Sequence, residues 1–237
     1  MTSLDFLTLF TVYDVLAVAA ILLAWLTIGW RIEHPSKRRP SVSILMAGYR
    51  REWMRQMVTR QPRIFDSHIL STLRQGTSFF GSATMIAIGG VLALIGNSEP
   101  LGGIAEQLGA DDTPLVFWEM KLVLVLFFLT NAFLKFVWSH RLFGYCAVMM
   151  GSVPNEIDDS RAVTRALKAA EVNISAARGF NRGLRSVYFA MAATAWALGP
   201  MGLLIATIVT CSILWRREFA SLSRAVLLSG NDRETGM

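Results

Sequence analysis

Lysine and arginine are missing from two places in this 237-residue chain. None lies in the first 30 residues, and none lies between Asn97 and Pro114. Charged residues of both signs reach only 17%, against 53% hydrophobic, where a soluble domain carries about 25% charge. That balance excludes an ordinary soluble domain and points to one membrane domain. Cysteine is nearly absent: Cys146 and Cys211 do not make a disulfide framework, and each is read as a small buried hydrophobe. Histidine is scarce too. His34, His68 and His140 lie far apart in sequence, and no pair has a metal-ligand spacing such as His-x-x-x-His. No Gly-rich phosphate loop, Gly-x-Ser-x-Gly elbow or Cys-x-x-Cys occurs. No metal, cofactor or catalytic residue is expected, and an enzyme is the less favoured class.

What is present is length without charge. Four apolar stretches, Leu4–Trp30, Thr77–Gly96, Leu115–Val137 and Val187–Trp215, each reach the roughly 20 residues that cross about 30 Å of hydrocarbon. The first has no basic region before it and no small-x-small cleavage site after it, so it reads as a retained helix and not a signal peptide. The segments between them differ in charge. Residues 31–76 hold ten Lys or Arg and three acidic residues; residues 97–114 hold Glu99, Glu106, Asp111 and Asp112 and no base; residues 139–186 hold seven basic and four acidic. The positive-inside rule sets the first and third in the cytoplasm and the second outside. Four spans then leave both termini outside. Arg216, Arg217, Arg224 and Arg233 in the tail run against that placement.

The basic segments are patterned. After the break His34-Pro35, residues 44–60 place Leu45, Tyr49, Trp53 and Met57 near helical spacing, with Arg51, Arg55 and Thr59 on another face. A helix lying in the cytoplasmic interface is expected. Pro62 starts a further helix that leads into the second span, where Thr77, Gly81, Gly89 and Ala93 share a face suited to close helix contact. Asn155 with Asp158 resembles a capping box. It opens a second amphipathic helix, with Arg161, Arg165 and Lys168, then Arg178, Arg182 and Arg185, at helical spacing. The fourth stretch, about 43 Å if helical throughout, exceeds the hydrocarbon thickness, and Gly199-Pro200 is expected to kink it. Residues 229–237 read as a disordered tail. The fold class is therefore all-α: one multi-pass domain over 1–228, with four transmembrane helices and two cytoplasmic amphipathic helices.

Ionisable groups within a span are the costly ones. Asp14 falls near mid-depth of the first span and Lys121 in the third, at similar depth, and an Asp14–Lys121 pair between those helices is expected. A second set gathers by depth at the inner ends of the later spans: Arg63, Asp66, Lys135, Trp138, Arg141, Asn181 and Arg185. Packed together, they form an inner polar cluster that either locks cytoplasmic helices to the bundle or holds an anionic lipid headgroup.

Several runs resemble one known family. Phe133-Leu134-Lys135-Phe136-Val137-Trp138-Ser139-His140-Arg141-Leu142-Phe143-Gly144-Tyr145-Cys146 is similar to a segment of the bacterial membrane-protein family catalogued as domain of unknown function 599. So are Ala177-Arg178-Gly179-Phe180-Asn181-Arg182-Gly183-Leu184-Arg185-Ser186-Val187-Tyr188-Phe189, Arg51-Glu52-Trp53 and Arg60-Gln61-Pro62-Arg63-Ile64-Phe65-Asp66. Ser78-Phe79-Phe80-Gly81-Ser82, Trp196 and Arg217-Glu218-Phe219 also resemble it. The resemblance implies a multi-pass membrane fold in a bacterium and no activity; with it, the expected location is the bacterial inner membrane, with both termini periplasmic. The expected function is a non-enzymatic structural, accessory or lipid-binding membrane protein. Its partners are membrane lipids, with anionic headgroups at the cytoplasmic face, and a homo-oligomer or larger membrane complex, without nucleic acid. The alternatives are a small oligomeric transporter or channel that uses Asp14, Lys121 and Asn131, and a membrane enzyme acting on lipid.

Overall fold

A computed structural model describes residues 10–97, 103, 114–156 and 158–229. Among them the chain is helical, with no strand: α1 (Val12–Glu33), α2 (Val42–Thr59), α3 (Ile64–Gly96), α4 (Leu115–Gly151), α5 (Arg161–Thr194), α6 (Pro200–Phe219) and α7 (Leu222–Leu228). A 3₁₀ turn, Ala195–Leu198, follows α5. Leu4–Leu9 of the first apolar stretch and the C-terminal tail from residue 230 lie outside the described residues.

The helices belong to two compact units, and several run from one into the other. Unit one comprises residues 1–29, 82–134 and 183–213; unit two comprises 30–81, 135–182 and 214–237. The chain therefore passes from unit to unit five times, within α1, α3, α4, α5 and α6.

Three helices, α1, α3 and α4, are long and apolar enough to cross a membrane. The expectation of four is corrected at the fourth stretch. Residues 187–215 are two helices and not one kinked helix. After the 3₁₀ turn, Gly199 adopts φ +92°, a left-handed conformation that no right-handed helix can propagate through. Its N–H donates to the Trp196 carbonyl at 2.9 Å, and α6 starts afresh at Pro200, which has no N–H to waste at a first helical position. Gly202 completes the turn: a Cβ there would stand 2.6 Å from the Ala195 carbonyl oxygen and 3.0 Å from the Leu198 Cβ. The first arm keeps about thirteen residues after Arg185 and the second about sixteen before Arg216, or about 20 and 24 Å of helix, each short of the hydrocarbon thickness on its own.

Unit one packs around aromatics. Phe128 and Phe189 are fully buried with ring centroids 5.9 Å apart, and Trp25 meets Phe128 edge-on at 5.6 Å. Ser186 donates to the Asn131 side chain at 3.0 Å. In unit two the core is built from alanine and methionine. Ala162, Ala166, Ala169 and Ala170 recur on one face of α5 and pack with Met54, Met57, Leu70, Phe143, Cys146 and Met150. Small side chains at that spacing let helices approach closely. The same economy holds at Gly179, where an added Cβ would lie 3.4 Å from Ser139; Ser139 is fully buried and donates to the Ala176 carbonyl at 2.7 Å.

Helix ends in unit two are tied by side chains. Ser41 caps α2 by accepting from the Ile44 N–H, while its hydroxyl donates to the Ile32 carbonyl at 2.8 Å, joining α2 to the end of α1. At the start of α5 the expected Asn155/Asp158 box is not what operates. The helix begins at Arg161, and Asp159 accepts from its backbone N–H at 2.8 Å and from its guanidinium at 2.7 Å. These bonds draw the Asp159 carboxyl down to about 2. The C-terminal end of α6 is also fastened within unit two. Glu218 accepts from the Ser43 backbone N–H at 3.1 Å and hydroxyl at 3.0 Å, Arg31 lies over the Phe219 ring, and Arg224 donates to the Pro40 carbonyl at 2.9 Å.

Candidate functional site

The units differ most in charge. Unit two holds 21 of the 23 Lys and Arg, and unit one only Lys121 and Arg185. Seven of the 17 acidic residues fall in unit one. Unit two thus carries a formal charge of +11 and unit one of −5.

In unit two, Pro62, following a cis Gln61-Pro62 bond, leads into α3 and sets Arg63 and Asp66 at its first turn. Asp66 is fully buried. Its Oδ1 accepts from Trp53 Nε1 at 2.7 Å and forms an ion pair with Arg60, while Oδ2 is buried without a hydrogen bond. Arg63 does not pair with Asp66. Its guanidinium donates to three main-chain carbonyls: Val153 at 2.8 Å, Pro154 at 2.7 Å and Val58 at 3.3 Å. Those bonds pin the chain that links α4 to α5. They leave the arginine charge without a carboxylate, and its buried Nε has no partner.

Beside Arg63 lies a cavity of about 440 Å³. Arg63, Ser67, Leu70, Ser71 and Arg74 line it from α3 and its approach; Ala147, Met150 and Gly151 line it from the end of α4, with Met57 and Asn155 completing the wall. Met57, Leu70 and Met150 are buried and make an apolar floor, whereas Ser67, Ser71, Arg74 and Asn155 are exposed. Ser67, Ser71 and Arg74 stand at i, i+4 and i+7, which puts them on one face of α3.

The other residues expected in the inner cluster fall into separate places. Arg141 donates to the Tyr145 hydroxyl and lies over the Tyr145 and Trp138 rings, at 5.5 and 6.0 Å. Lys135 and Asn181 are half-buried in unit two. Arg185 belongs to unit one, where it is buried and its Nε lies 3.8 Å from where a Gly29 Cβ would stand. Trp53 and Arg60 stood in the sequence only as part of a helix face or of the family resemblance, and Arg74 was not singled out. Arg74 had a signal in its spacing from Ser67 and Ser71; the reach of Trp53 back to Asp66 had none.

Asp14 and Lys121 both lie buried in unit one. Asp14 accepts from the Thr11 hydroxyl at 2.6 Å, the Thr11 N–H at 3.1 Å and Trp196 Nε1 at 2.8 Å. Lys121 Nζ sits 4.1 Å from the Phe117 ring centroid and 4.5 Å from that of Trp118. No ion pair joins Asp14 to Lys121 among the described residues. Two of the histidines have partners: His34 stacks on Trp30, and His140 Nδ1 meets the Ser78 hydroxyl at 3.2 Å. Among the described residues no three His, Cys, Asp or Glu group as metal ligands do.

The profile of a family described as "Protein of unknown function, DUF599" matches residues 16–223. No curated protein and no solved structure matches the chain.

Proposed function

The chain belongs to the DUF599 family, and from that premise we propose that it is a non-enzymatic, multi-pass protein of the bacterial inner membrane. Its basic unit lies against the anionic cytoplasmic leaflet as a lipid-binding scaffold or accessory surface. The observation that carries this is the division of charge: 21 of 23 cations in one of two units that the chain joins by five passages. Cations concentrated in some of the segments that join apolar helices, and missing from others, are what the positive-inside rule describes. Each Lys or Arg near an anionic leaflet contributes about 1 kcal/mol of attraction.

On this reading, which departs from the expectation of two periplasmic termini, the chain crosses five times, so that the N-terminus lies outside and the C-terminus in the cytoplasm. The basic tail that ran against a four-span arrangement then lies with the other cations, and Arg224 and Glu218 are bonded to the α1–α2 connection and the start of α2 in unit two. On this reading the short arms of the Gly199-Pro200 hairpin cross as a pair, with Arg182, Arg216 and Arg217 all at the ends of the arms away from the turn. A non-catalytic reading of unit one is supported by where its polar groups spend their bonds. Asp14 is held by Thr11 and Trp196, and Asn131 by Ser186.

Single cysteines in a Cys146→Ala, Cys211→Ala background test the orientation with a membrane-impermeant maleimide. Asn97→Cys is expected to label from outside in intact cells. Ser36→Cys and Ser229→Cys are expected to label only after the cytoplasmic face is opened. Labelling of Ser36→Cys from outside, or of Ser36→Cys and Ser229→Cys from opposite sides, overturns the arrangement.

A further inference from the structure

We propose that the cavity between the first turns of α3 and the last turns of α4 is a binding site for a phosphate group on an apolar carrier, the headgroup of an anionic phospholipid. The proposal deepens the lipid-facing reading of unit two and rests on it for the source of the ligand, but its chemistry stands on the cavity. Arg63 and Arg74 line the space and no Asp or Glu does. The nearby carboxylate of Asp66 is already taken by Arg60 and Trp53. Arg63 is fixed by three carbonyls, which satisfy hydrogen bonds but leave its charge unbalanced. Among the described residues Arg74 makes no ion pair or hydrogen bond, so its planar fork is unspent, and an arginine fork matches two phosphate oxygens at once. The Ser71 hydroxyl and the Asn155 amide add neutral donors at the rim.

Size and depth agree with that ligand. A volume of about 440 Å³ is many times the roughly 10–15 Å³ that holds one water, too large for a lone ion and suited to a headgroup with the start of its glycerol. The buried floor of Met57, Leu70 and Met150 accepts apolar atoms that free phosphate lacks. Arg74 stands three residues, about 4.5 Å of helix, before Thr77, from which α3 is apolar for about 30 Å. It is therefore at the level where a bilayer holds its phosphates.

Titration of the detergent-purified full chain tests this without reference to orientation. The probes are dioctanoyl phosphatidylglycerol, dioctanoyl phosphatidylcholine and inorganic phosphate. Phosphatidylglycerol is expected to bind saturably and more tightly than phosphatidylcholine, whose choline meets only cations. Arg74→Ala is expected to weaken it about tenfold, the loss of one charge-assisted contact, with partial recovery in Arg74→Lys. Arg161→Ala, an exposed cation bonded to Asp159 outside the cavity, is expected to bind as the unaltered chain does. Ser71→Trp, checked for an unchanged melting temperature, is expected to fill the space and abolish binding. Equal affinity in Arg74→Ala and Ser71→Trp overturns the site. Saturable binding of inorganic phosphate that Arg74→Ala removes, with no binding of phosphatidylglycerol, overturns the lipid assignment in favour of a soluble phosphate compound. Failure of the cysteine-labelling test with success here overturns the orientation alone.

Discussion

Two buried aspartates show how the chain carries charge where water is scarce. Asp14 and Asp66 are 3% and 0% exposed, and each accepts from an indole N–H: Asp14 from Trp196, 182 positions away, and Asp66 from Trp53, 13 positions away. Both carboxylates were conspicuous in the sequence because ionisable groups in or beside apolar helices are costly. Their tryptophan partners were not, because an indole donor carries no charge and no spacing rule. Lys121 was legible as a costly cation and its ring contacts were not, since Phe117 and Trp118 read as ordinary apolar helix. Arg60→Ala strips Asp66 of its cation and is expected to cost about 2–3 kcal/mol in a detergent melt followed by circular dichroism, because the carboxylate stays buried and uncompensated. Arg60→Ala with Asp66→Asn is expected to recover part of that loss, and a purely additive pair excludes the coupling. Asp159 is the exposed counterpart. Bonds from Arg161 depress it to about 2, so any stabilisation it gives is complete above the ordinary carboxyl value near 3.8 and is lost as pH falls through about 2. Its carboxyl carbon resonance is expected to titrate near 2 and to move up toward the ordinary value in Arg161→Ala.

At the scale of elements, most helices were legible and one junction was not. The period of apolar residues marks the cores of α1, α3 and α4, and helical spacing of arginine marks α5. Hydropathy also merged the end of α5 with α6, because Val187–Trp215 is apolar throughout and a turn inside an apolar run leaves hydropathy unchanged. Gly199-Pro200 was visible as a break, but a proline kink and a reversal share that dipeptide. Gly202 separates them: its missing Cβ is needed only where the backbone doubles back to within 2.6 Å of the Ala195 carbonyl. Gly202→Ala is therefore expected to destabilise the chain by about 1–3 kcal/mol, the range for overpacking against a rigid neighbour. Gly199→Ala adds strain at φ +92°, of order 1–2 kcal/mol. Thermal unfolding checks both. A melting temperature unchanged in Gly202→Ala favours a kinked single helix over a hairpin.

Taken whole, the molecule turns an uneven run of charges into two units of opposite sign. The segments that hold the cations were plain in the sequence, yet counting spans by hydropathy gave an even number and stranded the arginines of the tail. On the proposed arrangement the number of crossings is odd, and the arginines of the tail lie with the other cations. The cavity was out of reach of the sequence for a related reason. Its walls come from α3, the end of α4 and the chain before α5, stretches that no local pattern joins. On the proposed arrangement the tail is held in the cytoplasm by two terms: the contacts of Glu218 and Arg224 with the segment around Pro40 and Ser43, and the attraction of Arg216, Arg217 and Arg224 to the anionic leaflet. At about 1 kcal/mol per charge the second term is about 3 kcal/mol, a bias of roughly 150-fold. Neutralising the three arginines to serine removes that bias and one of the contacts together. A Ser229→Cys reporter in this variant is expected to become labelled from outside in a measurable fraction of molecules, whereas the parent shows none. Glu218→Ala alone, which removes the Ser43 contact and leaves all three arginines in place, is expected to stay unlabelled. Outside labelling in Glu218→Ala with none in the triple variant would mean that packing, and not charge, holds the last helix in place.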